Sequence, residues 1–198
     1  DLVHSDGKTA EKAMELIKKH KDEPFFLAVG FVRPHVPFVA PKNYFEPFPY
    51  QQIVMPPKVE NDWDDIPERG ITYVTSVNGQ MSEVQEKKAV AAYYASVSYM
   101  DAQVGKVLKT LKEEGLEDNT IVIFTSDHGF HLGEHRFWMK VSLHEESVRV
   151  PLIIKVPGKS PSVCGSFTEL LDLYPTVVEL AGLKPSEHLQ GKKKKKTL

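Results

Sequence analysis

The sequence lacks most of the features that would assign it to a specialised class. Cys164 is the only cysteine in 198 residues, so no disulfide can close within the chain and no cysteine-rich metal site can form. No apolar run approaches the roughly 18–20 residues that span a bilayer. The opening Asp1-Leu2-Val3-His4 has neither the charged nor the apolar region of a signal peptide. Charge is close to balanced, with 25 Lys and Arg against 27 Asp and Glu. That balance argues against nucleic acid or a membrane surface as the main partner, and any affinity for an anionic substrate has to be local. No internal repeat is present.

What is there can build a packed α/β domain. Hydrophobic residues make up 41% and aromatic residues 10% of the chain, enough for a sizeable core in one domain. Ala10, Ala13, Met14, Leu16 and Ile17 recur at helical spacing behind Asp6, Gly7 and Thr9, which offer N-terminal caps to a helix over residues 8–19. A helix so close to Asp1, with no element before it, leads us to expect that the chain begins within a longer protein. Val90, Tyr94, Val97, Val104, Leu108 and Leu111 form a second, longer stripe ended by Gly115. Asp101 falls on this stripe and is expected to be buried and hydrogen-bonded. A third helix is read over residues 167–181, stopped by Gly182, with Pro175 forcing a kink or a restart.

Residues 25–32, 120–125 and 150–156 are short runs rich in β-branched and aromatic side chains. They are apolar on both faces, as strands of a helix-covered parallel sheet must be. The order of elements predicts an α/β layered fold, a mostly parallel sheet with helices on both faces. In such sheets ligands bind beyond the carboxyl ends of the strands. Residues 33–84 form a long stretch without a clean period, punctuated by Pro34, Pro37, Pro41, Pro47, Pro49, Pro56, Pro57 and Pro67. Loops of this length are unusual unless they shape a site; a pocket wall and an irregular surface connection both account for the composition.

The chemistry concentrates after the second of these strands. Thr125-Ser126-Asp127-His128-Gly129 places a carboxylate and an imidazole at a strand's carboxyl end, followed by a glycine that lets the backbone turn. This is half of a metal site, or an Asx-type turn with a surface histidine. The following Glu134, His135, Lys140, Glu145 and Arg149 crowd ionisable groups into one loop. Lys140 can offer a point charge to a tetrahedral anion, and His135 can move protons near neutral pH. Phe137, Trp138 and Met139 interrupt the loop with apolar bulk and imply that it folds against something. A second cluster, Arg33-Pro34-His35-Val36-Pro37-Phe38, holds His35 on a backbone stiffened on both sides.

Together these segments resemble type I sulfatases. The likeness is carried, in order, by residues 25–31 with Arg33-Pro34-His35-Val36-Pro37-Phe38, by Tyr94-Ala95-Ser96-Val97-Ser98-Tyr99-Met100-Asp101, by Thr125-Ser126-Asp127-His128-Gly129, by Leu132-Gly133-Glu134-His135, and by Arg149-Val150-Pro151-Leu152-Ile153. The chain is most similar to the iduronate-2-sulfatase branch, over about residues 25–182. The resemblance implies an alkaline-phosphatase-like fold, here incomplete, and one calcium ion to which Asp127 and His128 contribute. It further implies that Lys140 and His35 contact the sulfate or its leaving oxygen, with His35 the better proton donor, and that His135 lies at or behind the substrate.

The family's nucleophile is a formylglycine made from a Cys or Ser in a Cys/Ser-x-Pro/Ala-x-Arg motif, which this chain does not contain. Cys164, in Val163-Cys164-Gly165-Ser166-Phe167, has neither the Pro nor the Arg and stands as a small buried or loop residue. Also missing is the acidic pair of the family's first strand. The resemblance therefore implies part of a hydrolase of sulfated sugars or glycosaminoglycans, inactive alone and partnered by its own N-terminal half. A secreted, periplasmic or lysosomal location goes with the family. Residues 1–191 are read as part of one catalytic domain, with 33–84 its pocket-forming loop. The lysine run at 192–196 begins a tail, 192–198, without assigned function. A phosphodiesterase or phosphonate hydrolase of the same superfamily, or a non-catalytic scaffold that kept the fold, remain the alternatives.

Overall fold

The computed structural model describes residues 3–72 and 81–192. Of the lysine run at 192–196 only Lys192 falls within them, and residues 73–80 of the long loop lie outside them. The chain divides into two compact units, residues 1–119 with 128–149, and residues 120–127 with 150–198.

The first unit is built on two helices, α1 (Ser5–Lys19) and α3 (Glu83–Glu113), which pack on one another. Small residues are buried on both helices, Ala10 and Ala13 of α1 and Ala91 and Ala95 of α3, as are Ile17 of α1 and Tyr99 of α3. Small side chains let the two backbones approach closely, and the larger ones fill what is left. The buried side of α3 thus runs through Ala91, Ala95, Tyr99 and Gln103. Tyr94 and Leu108, expected on the covered stripe, are 40% and 43% exposed. Asp101 is exposed as well, which corrects the expectation of a buried, hydrogen-bonded role: the contact with α1 selects a face one position away from the stripe of large side chains.

Helix α1 starts earlier than its apolar period does. Its flanking His4 makes no side-chain cap, and Asp6 bonds elsewhere. Helix α3 starts at a capping box, with the Ser82 hydroxyl accepting from the Gln85 amide and the Gln85 side chain accepting from the Ser82 amide. It ends at Gly115, which takes the left-handed conformation (φ +70°) that a residue with a side chain would resist.

The long loop wraps α3. It contains short turns of 3-10 helix at Lys42–Tyr44 and Tyr50–Gln52 and the short helix α2 (Glu68–Thr72). Ile53 from this loop, Val90 and Ala91 from α3, and Trp138 form a buried cluster, with Phe48, Tyr50, Met55, Leu132 and Met139 against it. Trp138 belongs to a two-rung antiparallel hairpin, β2 (His131–Leu132) with β3 (Trp138–Met139). The short helix α4 (Glu145–Val148) follows it.

In the second unit, β1 (Val122–Thr125) pairs antiparallel with β4 (Leu152–Lys155), with Val122 opposite Lys155 and Thr125 opposite Leu152. A 3-10 turn, Leu170–Asp172, then leads into α5 (Leu173–Leu180). Pro175 sits in the first turn of α5, where its missing N–H costs nothing, so the expected interruption takes the form of a restart. Asp172 is buried and accepts from the amides of Glu169 and Lys192. Cys164 is exposed in the intervening loop.

The α/β character expected from the sequence holds, with two differences in pairing. Where mostly parallel neighbours are expected, both ladders among the described residues are antiparallel. Residues 25–32 form no ladder, and apolar side chains that a covered sheet would bury remain open, among them Phe26 at 83% exposure in the first unit and Ile153 at 62% in the second.

Replacing Ser82 by Ala removes the capping box and is expected to lower stability by about 1 kcal/mol, read as a reduced midpoint in urea denaturation with an unchanged slope.

Candidate active site

The loop after β1 turns sharply back, and Gly129 is what permits it. A Cβ at this position would overlap the Glu146 carbonyl oxygen and crowd that of Arg149. The Gly129 amide in turn donates to the Ser147 carbonyl at 2.8 Å. The return brings His128 and Lys140 together, with Lys140 Nζ 2.9 Å from His128 Nε2. His128 Nδ1 lies 2.6 Å from the Gly129 carbonyl. A carbonyl only accepts, so Nδ1 carries the proton, and Nε2 presents its lone pair to the ammonium.

Lys140 is held by an unusual backbone. Its neighbours Met139 and Val141 have φ of +74° and +77°, a region that β-branched valine strongly resists. Such residues cost about 1–3 kcal/mol each and persist only where surrounding structure imposes them, most often at functional sites. Here the imposing structure is the hairpin, with Trp138 in the buried cluster.

His35 sits on its own loop, between cis bonds at Arg33-Pro34 and Val36-Pro37. Its Nδ1 donates to the Val36 carbonyl at 2.7 Å, its amide donates to the Val32 carbonyl at 2.9 Å, and the Arg33 guanidinium donates to its carbonyl at 3.0 Å. The ring is therefore oriented with Nε2 as the exchangeable position. Phe38, three residues on, packs edge-on against Phe130, two residues past His128, with ring centroids 5.7 Å apart. This contact lays the His35 loop beside the start of the hairpin. Asp127, exposed at the end of the second unit's first segment, accepts from the Ser126 hydroxyl at 3.4 Å.

His135 takes a different partner. Its Nδ1 lies 3.1 Å from an Asp62 carboxylate oxygen, and the Trp63 indole donates to its carbonyl at 2.7 Å. With φ +54° it caps the tip of the hairpin. Asp62 and Trp63 come from the long loop, 72 to 73 residues away in sequence, and no local pattern marks them. His135 and Asp62 line a cavity of about 950 Å³ with Asp65, Arg69, Ser142 and His144, a volume suited to a small-molecule ligand. Among the described residues the Nδ1 atom of His144 is buried with no hydrogen-bond partner.

Behind the cavity lies a residue that sequence reasoning passed over. His131 is fully buried, 2.6 Å from the Ser142 hydroxyl, with its ring 5.8 Å from that of His144. Burial pushes its imidazole below the ordinary value, aided by the nearby His144 and His135 and opposed by Glu146 and Glu134.

A sulfatase family model matches residues 2–183. The chain belongs to the sulfatase family. Mouse iduronate 2-sulfatase is 36% identical over 90% of this chain and 40% of its own length, and an arylsulfatase of Clostridium perfringens is 36% identical over 89% and 38%. Among solved structures, the phosphonate monoester hydrolase of Silicibacter pomeroyi superposes with a TM-score of 0.88 at 22% identity, over 96% of this chain and 40% of its own. That likeness establishes the alkaline-phosphatase-like fold, present here in part. The chain spans about 40% of the length of the curated relatives it matches.

Two outcomes follow from the geometry. Gly129→Ala forces the hairpin away from Glu146 and is expected to cost at least several-fold in any activity that needs Lys140 beside His128, measured as kcat/KM of the complete protein. For His131, folded and unfolded chains are both neutral above about pH 6.5. Below that the unfolded chain takes up a proton that the buried ring resists, so stability falls until the lowered pKa is reached. Urea midpoints at about pH 7.5 and 5.5 should therefore differ less in His131→Gln than in the parent chain.

Proposed function

We propose that this chain forms one side of the active site of a sulfuric ester hydrolase acting on a sulfated carbohydrate. The observation that carries the reading is the pairing of Lys140 with His128 on a strained hairpin, 2.9 Å apart, within a chain of the sulfatase family.

In this reading Lys140 places positive charge against the sulfate oxygens. As the imidazolium, with Nδ1–H committed to the Val36 carbonyl, His35 carries its second proton at Nε2 and gives that proton to the bridging oxygen as negative charge develops there, leaving the neutral Nδ1–H ring. The cavity beside His135 and His144 receives the sugar, walled by residues 62–70 of the long loop. Asp127 and His128 suit a hard divalent cation as part of a donor set: one brings carboxylate oxygens, the other an Nε2 lone pair that the cation would take in place of the Lys140 ammonium. Among the described residues no group of three or more His, Cys, Asp or Glu gathers, so further oxygen ligands have to come from elsewhere, as the usual six to eight for calcium require. Calcium would polarise the sulfate when bound. The formylglycine nucleophile and the remaining ligands belong, on this reading, to a preceding part of the protein, and residues 1–191 are part of one catalytic domain. A location outside the cytoplasm accords with the same reading.

The test uses the complete gene product. His35→Ala and Lys140→Ala are each expected to lower kcat/KM for a sulfate ester about 10²- to 10⁴-fold without altering thermal stability. Calcium should raise the thermal midpoint. The 198-residue chain alone, assayed with an aryl sulfate and calcium, should show no turnover; activity there would overturn the assignment of the nucleophile to another segment. Because the Silicibacter pomeroyi protein of the same fold is a phosphonate monoester hydrolase, faster turnover of a phosphonate monoester than of any sulfate ester would replace the sulfatase reading.

A further inference from the structure

Asp6 lies in the first turn of α1 and is fully buried. A carboxylate out of water has to be met by donors, and two of its donors come from the chain just ahead of His35. The Val32 amide donates to Oδ1 and the Arg33 amide to Oδ2, each at 2.9 Å. The Ser5 hydroxyl also reaches Oδ1, at 3.3 Å. Tyr99, itself fully buried, covers the site from α3, with the rings of His4 and Tyr44 5.4 and 5.3 Å from its own.

Two consecutive amides held by the two oxygens of one carboxylate fix both the place and the direction of the backbone. The bracket acts where it matters for His35. Val32, one of the two gripped residues, accepts from the His35 amide, and Arg33, the other, donates from its side chain to the His35 carbonyl. An unbroken set of bonds therefore runs from Asp6 through residues 32 and 33 to the backbone that orients the His35 ring.

We propose that Asp6 is a positioning residue for His35, gripping the Val32 and Arg33 amides so that the ring meets the leaving oxygen. The inference rests on the reading of His35 as proton donor and adds to it a residue from the first turn of α1.

Its test separates positioning from plain structural support by leaving-group dependence. Proton donation matters most for a poor leaving group, such as the alkoxide of a sugar sulfate, and least for an acidic nitrophenol. Asp6→Asn keeps the shape and one acceptor oxygen but turns an NH2 group toward an amide donor. In the complete protein it should lower kcat for a sugar sulfate about 10- to 100-fold and for a nitrophenyl sulfate several-fold less, with KM little changed. In a His35→Ala background the same substitution should have no further effect on the sugar sulfate. Asp6→Glu, which keeps the charge but moves both oxygens, should show the same substrate dependence and serves if Asp6→Asn does not fold. Equal losses for both substrates, additivity with His35→Ala, or failure of both variants to fold would overturn the proposal and leave Asp6 a folding residue. If His35→Ala itself shows no leaving-group dependence, the reading of His35 falls first, which keeps the two failures apart.

Discussion

The near-contact between Gly129 and the Glu146 carbonyl decides how the candidate site is assembled. Without room for a Cβ there, the chain leaving His128 can fold back against residues 146–149, and the hairpin that follows must carry Lys140 to His128. The hairpin is then anchored twice. Trp138 enters the buried cluster with Ile53, Val90 and Ala91, and Trp63 of the long loop stacks on Phe137 at 5.6 Å. Anchoring of this kind is what holds left-handed Met139 and Val141 in place against their own preference. Backbone space, packing and electrostatics therefore converge on the lysine, each needed by the next.

Much of this was legible in the sequence, and the reasons differ from element to element. Gly115 and Gly182 marked helix ends because a left-handed residue at that point is a local requirement, and both have positive φ. Asp127-His128-Gly129 stood out because neither a carboxylate nor an imidazole suits a strand. The covered face of α3 was misjudged because periodicity shows that a helix has faces without showing which neighbour covers which. Alanines of both helices are the residues that become buried, while the bulky Tyr94 and Leu108 stay open. Asp6 looked like a helix cap because a carboxylate near a helix start usually is one; its actual partners are 26 and 27 residues away. Asp62 was invisible for the same reason, since its pairing with His135 exists only after the long loop has wrapped α3.

The expected strand at residues 25–32 is instructive in another way. Its composition is that of a buried strand, yet it makes no ladder among the described residues, and Phe26 is largely open. Strand composition records the environment a segment is destined for, and a segment can display that composition while its partners lie elsewhere. Strand β4 is likewise largely open.

His35 and His128 share one small device: in each, Nδ1 is tied to the carbonyl of the very next residue. Most enzymes fix an imidazole with a separate carboxylate, which any drift in the surrounding walls can disturb. Here the main chain itself chooses the tautomer, so neighbouring side chains can be exchanged without altering which nitrogen carries the proton. A ring wired in this manner keeps its orientation for as long as the backbone at that one turn keeps its course.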